Sequence, residues 1–209
     1  MVVAEDSKIR ISAPKMETSI FKIVGTAPYV QARFSEKAKN LMRAKMEAGS
    51  QAKKGTQREP RDFEADYKAA MHISVAGWPG IPASAFRKAM ISACRLVGFK
   101  MTLAKLALFV DADGFDVVDG LPLIRIEGTP EPVEMAVRNE TGVADIRVRP
   151  MWREWEATVR IRFDADMFTL PDLANLLMRA GQQVGVGEGR PDSRKSCGLG
   201  WGLFALKDK

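Results

Sequence analysis

The chain is poor in the residues that most often carry catalysis and metal binding. Its 209 residues include a single histidine, His72, and two cysteines, Cys94 and Cys197. This composition excludes a two-histidine ribonuclease mechanism, a cysteine-based zinc site and a disulfide scaffold, so both cysteines are predicted to be free thiols. No serine has the surroundings of a catalytic triad. We therefore predict a protein that is not an enzyme and that needs no cofactor or metal.

Long apolar runs are also missing. No window approaches the roughly 18 uncharged apolar residues that a membrane span requires, and the early acidic residues do not fit a signal peptide. Apolar residues make up 46% and charged residues 28% of the chain, values close to the globular average, which exclude wholesale disorder. The length predicts one domain over residues 1–209, in a cytoplasmic protein without a membrane partner.

The positive charge is concentrated in one segment. The formal net charge is +6, and the eight basic and two acidic residues between positions 37 and 61 account for all of it. Such an asymmetry favours contact with a polyanion, although a solvated insertion would have the same composition. The basic residues of this insertion, assigned to residues 35–70, are Lys37, Lys39, Arg43, Lys45, Lys53, Lys54, Arg58 and Arg61.

The pattern of apolar residues predicts an α+β fold. Strands are expected at residues 8–12, 18–25, 121–127, 143–150, 156–163 and 201–206, and a short helix leading into a strand at 101–110. Core helices are expected at 86–97 and 169–181, and a basic helix from residue 35 to 49 that leads into an irregular, mobile stretch. The order of the strong elements is that of a ferredoxin-like (RRM-like) βαββαβ core with an antiparallel sheet.

Two of these strands alternate apolar and basic residues. Each would bury one face and present the other to water or phosphate. The basic residues are Arg147 and Arg149 in the first strand, and Arg160 and Arg162 in the second.

A glycine-rich loop at residues 184–202 is the most informative motif. Its six glycines would let the backbone approach a partner closely, and it lacks the Walker A and dinucleotide-binding patterns. The alternative is a tight connection between a helix and a strand. The residues assigned to phosphate contact here are Gly187, Gly189, Arg190, Arg194 and Lys195.

This loop, with the sequence GVGEGRPDSRKSCGLGWGLF, resembles that of the RAMP superfamily, the RNA-binding subunits of CRISPR effector complexes, and especially their backbone subunits. Residues 80–89 (GIPASAFRKA) are similar to the turn that opens the first helix in that family, with Arg87 and Lys88 as its basic residues. The resemblance implies RNA binding, assembly along the strand and an insertion that reaches over the RNA. Because the chain is short, we interpret it as a solitary relative of the kind that a phage or mobile element carries.

Other candidate residues are weaker. Asp62, Glu64 and Asp66 would be the first candidates if the insertion cut RNA, but charge balance in a polar loop is the simpler interpretation. His72 is interpreted as structural, and the aspartates of residues 111–116 as a turn rather than a calcium loop. The aromatic residues Tyr29, Phe63, Tyr67, Trp152 and Trp155 could stack on bases or belong to the core, and we expect at least one of the tryptophans to be buried.

The sequence therefore predicts a single-stranded nucleic-acid-binding protein, with RNA favoured, that forms a homo-oligomer along the strand. Two alternatives stay open. The same fold could bind single-stranded DNA in phage recombination or replication, or the same surface could contact a protein partner, as in an interaction subunit or an inhibitor.

Overall fold

The computed structural model describes residues 11–34, 36–49, 61–138, 144–193 and 198–207. These residues form an α+β fold in which all strand pairs are antiparallel, as the sequence predicted. The strands are β1 (Met16–Gly25), β2 (Tyr29–Val30), β3 (Gly80–Pro82), β4 (Leu108–Asp111), β5 (Gly114–Phe115), β6 (Pro122–Glu127), β7 (Glu131–Arg138), β8 (Ala144–Trp152), β9 (Glu156–Asp164) and β10 (Phe204–Leu206). The α-helices are α1 (Glu36–Ala48), α2 (Phe63–Ala69), α3 (Ala83–Ala93), α4 (Met101–Ala107) and α5 (Leu170–Arg179). No helix in these ranges is long and apolar enough to cross a membrane.

Seven strands form the larger sheet, whose order is β10-β1-β9-β6-β3. β1 pairs with β9 along nine residue rows, from Met16 opposite Asp164 to Val24 opposite Glu156. The other edge of β9 is shared by two strands, because β4 pairs with its C-terminal half and β6 with its first two residues. β5 pairs with Pro122 and Leu123 of β6, on the edge opposite β3.

The apolar core lies between this sheet and the helices α3 and α5. Along β9, Val159, Ile161 and Phe163 are buried, whereas the alternate residues are more exposed, as the period of a strand requires. The buried faces of the two helices contribute to the same cluster, including Phe86 of α3 and Leu177 of α5. Both helices therefore pack through apolar stripes, and the predicted core helices are confirmed.

Local signals explain where α5 begins and α3 ends. Thr169 and Asp172 form a reciprocal capping box at the start of α5, in which each side chain accepts a hydrogen bond from the backbone of the other. α3 continues into a 3₁₀ turn at Cys94–Val97, which ends at Gly98 with φ +69°. A residue with a side chain rarely adopts this left-handed conformation, so glycine is a natural stop.

The remaining strands form a smaller sheet with the order β2-β8-β7. Helix α2 packs along β8, and the Tyr67 hydroxyl donates a hydrogen bond to the Pro130 carbonyl at 3.2 Å. Asp62 caps α2 by accepting a hydrogen bond from the Ala65 amide. The irregular stretch predicted after the basic helix is therefore wrong for residues 63–69, because a capped helix anchored to the small sheet forms there.

The two strands with basic residues belong to different sheets. β8 lies in the smaller sheet and β9 in the larger one, so their arginines do not share one face. The arginines that the sequence assigned to exposed strand faces therefore lie on two separate sheets, because alternation within a strand does not determine which neighbour that strand pairs with.

The ends of the chain also differ from expectation. Of the strand predicted at 8–12, residues 8–10 lie outside the described ranges, and residues 11 and 12 are not in a strand. The last strand begins at Phe204 rather than at residue 201, since residues 201–203 are still part of the turn that closes the glycine-rich loop.

Candidate functional site

A cleft of about 740 Å³ lies between α3 and the glycine-rich loop. Ser84 and Lys88 line it from α3, Lys105 from α4, and residues 184–188, Arg190 and Asp192 from the loop. Tyr29, Gln31 and His72 also line it. We refer to this space as the α3–loop cleft. It brings together the two segments that the sequence singled out, residues 80–89 and the glycine-rich loop.

The loop is held in place by its own backbone. The Gly185 amide donates to the Ala180 carbonyl at 2.8 Å, the Val186 amide to Gly202 at 2.9 Å and the Glu188 amide to Val30 at 2.9 Å. These bonds connect the loop to the end of α5, to the turn that precedes β10 and to β2. The loop wall of the cleft is therefore a hydrogen-bonded part of the fold.

Two glycines are required by packing inside the protein. Gly187 has φ +82°, and a Cβ atom there would lie 2.5 Å from the Val30 carbonyl oxygen. Gly189 has φ +73°, and its Cβ would lie 2.6 Å from the Trp201 ring. The close approach that the sequence suggested is thus made to the protein's own β2 and Trp201.

A second set of bonds attaches the loop to α3. Asp192 accepts hydrogen bonds from the Ser92 hydroxyl and from the Arg95 guanidinium, the latter at 2.8 Å. The Ser92 hydrogen bond lowers the pKa of Asp192, burial opposes this, and Arg95 and Arg190 lower the pKa further. Asp192 is therefore ionised and connects the loop to α3 through these hydrogen bonds.

Some of the positive side chains that line the cleft are not paired with a carboxylate and are available to bind an anion. Both carboxylates that line it are engaged, Glu188 with Arg149 at 3.0 Å and Asp192 with Arg95. Lys88 and Lys105 are exposed, and no described carboxylate lies within ion-pair distance of either. Arg190 donates to the Gly187 carbonyl at 3.0 Å. The cleft therefore presents a positive surface to a ligand.

A buried polar network borders the cleft. The Gln31 amide nitrogen donates to the Tyr29 hydroxyl at 2.9 Å and to the Gly80 carbonyl at 2.8 Å, and its oxygen accepts from the His72 amide at 2.7 Å. Burial raises the pKa of Tyr29 far above its ordinary value, and the hydrogen bond from Gln31 opposes this only in part. Tyr29 is therefore a neutral hydroxyl.

His72 is bonded to a buried carboxylate. Its Nδ1 lies 2.7 Å from Asp116, which is 2% exposed. Burial raises the pKa of Asp116, but the hydrogen bonds from the Val118 amide and His72 and the charge of Arg33 outweigh it, so the pKa lies below its ordinary value. Asp116 is therefore ionised at neutral pH.

Asp116 also belongs to a group that resembles a metal site. Ligand atoms of His72, Asp116 and Asp119 all lie within 4.8 Å of one another. The guanidinium of Arg33, however, lies 3.5 Å from Asp116 and 3.8 Å from Asp119. Lys39 also lies 3.6 Å from Asp119, so the two cations balance the two carboxylates. The group is therefore a partly buried ion network rather than a cation site.

The arginines of the two strands are paired within the protein. Arg147 lies near Asp145 at 3.8 Å, Arg149 pairs with Glu188, Arg160 with Asp113, and Arg162 with Asp111 at 3.4 Å. Arg87 donates to the Leu108 carbonyl at 2.7 Å and does not line the cleft, unlike Lys88. These arginines are partly committed to internal contacts.

The basic insertion is described only in part. In α1, Lys39 lies 3.6 Å from Asp119, and Arg43 is exposed. Arg61 contacts Asp145 at 2.5 Å and Asp66 at 3.3 Å. The side chains of Lys37 and Lys45 lie outside the described atoms, and Lys53, Lys54, Arg58, Arg194 and Lys195 lie outside the described residues.

The three carboxylates considered for cleavage have structural partners. Asp62 caps α2, Glu64 pairs with Lys68 at 2.7 Å, and Asp66 pairs with Arg61. Charge balance and helix capping therefore explain all three.

Most of the aromatic residues considered for stacking belong to the core. Trp152 and Trp155 are buried, as expected for at least one of them, and each packs against the buried Tyr29 at about 5.5 Å between ring centroids. Phe63 is exposed and Tyr67 is half-buried. Stacking on bases by Tyr29, Trp152 or Trp155 is excluded by their burial.

Sequence reasoning missed Lys105, Gln31 and the contact between His72 and Asp116. The two members of that contact are 44 residues apart, and residues 111–116 were considered only as a turn or a calcium loop. No signal within one sequence connects them.

No model of a known protein family matches the chain, and the comparison with curated proteins likewise gives no match.

Proposed function

We propose that this protein binds single-stranded nucleic acid, preferably RNA, in the α3–loop cleft through the phosphate backbone, without cleaving it. The observation that carries the proposal is the distribution of free cations. Lys88 and Lys105 face the cleft without a described carboxylate partner, whereas the strand arginines are paired. An anionic ligand would find its unpaired countercharge here.

The fold arrangement is consistent with this proposal. We infer that β1, α3, β4, β9, α5 and β10 correspond to a ferredoxin-like βαββαβ core, with the strand order β10-β1-β9-β4 and all neighbours antiparallel. β5 to β8 would then be an insertion between its second and third strands. A RAMP-like protein of the cytoplasm, with the glycine-rich loop beside α3 as the first helix of the core, would fit this arrangement.

Assembly along the strand is a further part of the proposal. Helix α1 exposes Leu41, Met42 and Met46, which are 57%, 48% and 76% exposed. Met42 and Met46, four positions apart, share one face of the helix with Leu41 beside it, and an apolar helical face beside basic residues is suited to contact with a neighbouring subunit. Light scattering with oligonucleotides of increasing length tests this. A particle mass that grows with the oligonucleotide supports a filament, and a fixed mass contradicts it.

Binding itself is tested by fluorescence anisotropy with RNA and DNA oligonucleotides of the same sequence at several salt concentrations. Each of the variants Lys88→Ala and Lys105→Ala should weaken binding and reduce the log–log salt slope by about 0.7, the value for one lost contact to a single strand. Lys22→Ala is the matched control, because Lys22 is exposed on β1 and does not line the cleft.

The result separates the alternatives. Equal affinity for RNA and DNA would favour the single-stranded DNA protein. Equal effects of the cleft variants and Lys22→Ala would place binding elsewhere. If neither nucleic acid shows salt-sensitive binding, the proposal is wrong, and a surface that binds a protein partner is favoured instead.

A further inference from the structure

The His72 ring offers a polar atom to the cleft that the protein does not use. The side chain is 9% exposed and borders the α3–loop cleft. Its Nδ1 contacts Asp116, and its Nε2 has no hydrogen-bond partner among the described residues. Because the two nitrogens lie on different edges of the imidazole, a ring bonded to Asp116 on one edge can present Nε2 elsewhere.

The contact with Asp116 determines which nitrogen carries the proton. An ionised carboxylate can only accept hydrogen bonds, so the Nδ1 of His72 must donate. Hydrogen bonds from the Val118 amide and from Nδ1 and the charge of Arg33 keep Asp116 ionised. In neutral His72 the Nε2 atom is therefore an acceptor with a free lone pair.

The neighbouring polar groups at this end of the cleft are already used. Both amide hydrogens of Gln31 are donated, and its oxygen accepts from the His72 backbone. Of the other side chains that line the cleft, Lys88 and Arg190 can only donate hydrogen bonds and the Ser84 hydroxyl can donate or accept, whereas the two carboxylates are paired with Arg149 and Arg95. In its neutral form His72 is thus a buried acceptor in a cleft whose cationic side chains are donors.

A phosphate oxygen satisfies the donors but cannot satisfy the Nε2 of neutral His72, which needs a hydroxyl or N–H group. The 2′-hydroxyl of ribose is a donor that RNA has and DNA lacks, and it lies next to the phosphates that the cations would hold. We propose that His72 accepts a hydrogen bond from a ribose 2′-hydroxyl and so distinguishes RNA from DNA, with Asp116 as a positioning residue. This inference rests on the proposed function, because it requires a nucleic acid in the cleft.

The test is a cycle with one change in the protein and one in the ligand. Wild type and His72→Phe are titrated with RNA, with 2′-fluoro RNA and with DNA of the same sequence. The fluorine removes the donor while keeping the sugar pucker of RNA. We expect wild type to bind RNA about fivefold more tightly than 2′-fluoro RNA, the effect of one ordinary hydrogen bond. His72→Phe should reduce that ratio to about one, with its affinity for 2′-fluoro RNA unchanged.

Lys88→Ala is the control variant, which should weaken RNA and 2′-fluoro RNA equally and keep their ratio. If His72→Phe does not fold, the comparison of RNA with 2′-fluoro RNA on the wild-type protein still tests whether a 2′-hydroxyl donates a hydrogen bond in the cleft. Equal wild-type affinity for RNA and 2′-fluoro RNA would overturn the inference while leaving nucleic-acid binding intact. A changed base preference in His72→Phe with an unchanged ratio would overturn it in favour of a base N–H donor. If no oligonucleotide binds, both the inference and the proposed function fail.

Discussion

The loop wall of the cleft depends on the lack of a side chain at Gly187. In Gly187→Ala the new Cβ would lie 2.5 Å from the Val30 carbonyl oxygen and 2.6 Å from the Tyr29 ring, with the backbone at φ +82°. Val30 and Tyr29 are both buried, so neither neighbour can move into solvent. The left-handed backbone costs about 1–2 kcal/mol for a residue with a side chain. The overpacking adds about 1–3 kcal/mol.

The expected loss is therefore about 2–5 kcal/mol in the free energy of unfolding, a large part of the roughly 5–15 kcal/mol of a native protein. Gly200 provides a matched control in the same loop. Its φ is +74°, and a Cβ atom added there would have no neighbouring atom of the described residues within 4 Å. Gly200→Ala should thus lose only the backbone contribution of about 1–2 kcal/mol.

Urea denaturation followed by tryptophan fluorescence measures both variants, since Trp152 and Trp155 are buried reporters next to Tyr29. Gly187→Ala should have the lower midpoint with an unchanged slope. An equal loss in the two variants would refute the reasoning, because it would mean that the loop is not packed against β2.

Three other substitutions and one incubation test further parts of the structure. Phe86→Ala should cost about 3–5 kcal/mol in urea denaturation, because its ring is fully buried in the core, and a loss below about 1 kcal/mol would contradict this packing. Arg160→Ala should change stability by less than about 1 kcal/mol, since exposed ion pairs contribute little, and should leave RNA affinity unchanged. The pKa of Asp192 is lowered in the folded state, so its stabilisation is complete above the unfolded value of about 3.9 and is lost as the pH falls through the folded value. Asp192→Asn should therefore flatten the fall in stability as the pH drops below about 4, and an equal fall in both proteins would exclude this role. RNA incubated with the protein and Mg²⁺ or Mn²⁺ should stay intact on a denaturing gel, because the three carboxylates near α2 are engaged in capping and ion pairs; regular cuts would disprove this.

The spacing of apolar residues predicted those helices and strands that pack against the core through a face visible in their own sequence. The stripe of α3 and the capping box of α5 are local patterns, and both helices form where they were expected. The alternation of β9 likewise identified its buried face. Such features are readable because a helix or strand must match its apolar period to the side that it buries.

Pairing between distant segments could not be predicted in the same way. β8 and β9 have similar alternation, yet they belong to different sheets, because partner choice depends on strands far away in the chain. α2 was missed since its anchor, the hydrogen bond from Tyr67 to Pro130, joins residues 63 positions apart. For the same reason the sequence identified Lys88 and Arg190 as basic residues but not Lys105 or His72 as their neighbours in the cleft.

The shape of the cleft is a consequence of internal packing, and this bears on how a ligand could be held there. Gly187 and Gly189 are fixed by Tyr29, Val30 and Trp201, and Asp192 is latched to α3. The loop wall is therefore preorganised, so that little ordering free energy has to be supplied on binding. Because Arg149 and Arg95 pair with the only two carboxylates among the described residues that line the cleft, this internal pairing also leaves the positive charges of Lys88, Lys105 and Arg190 unbalanced. The same ion pairs that stabilise the loop thus set the sign of the surface that it presents.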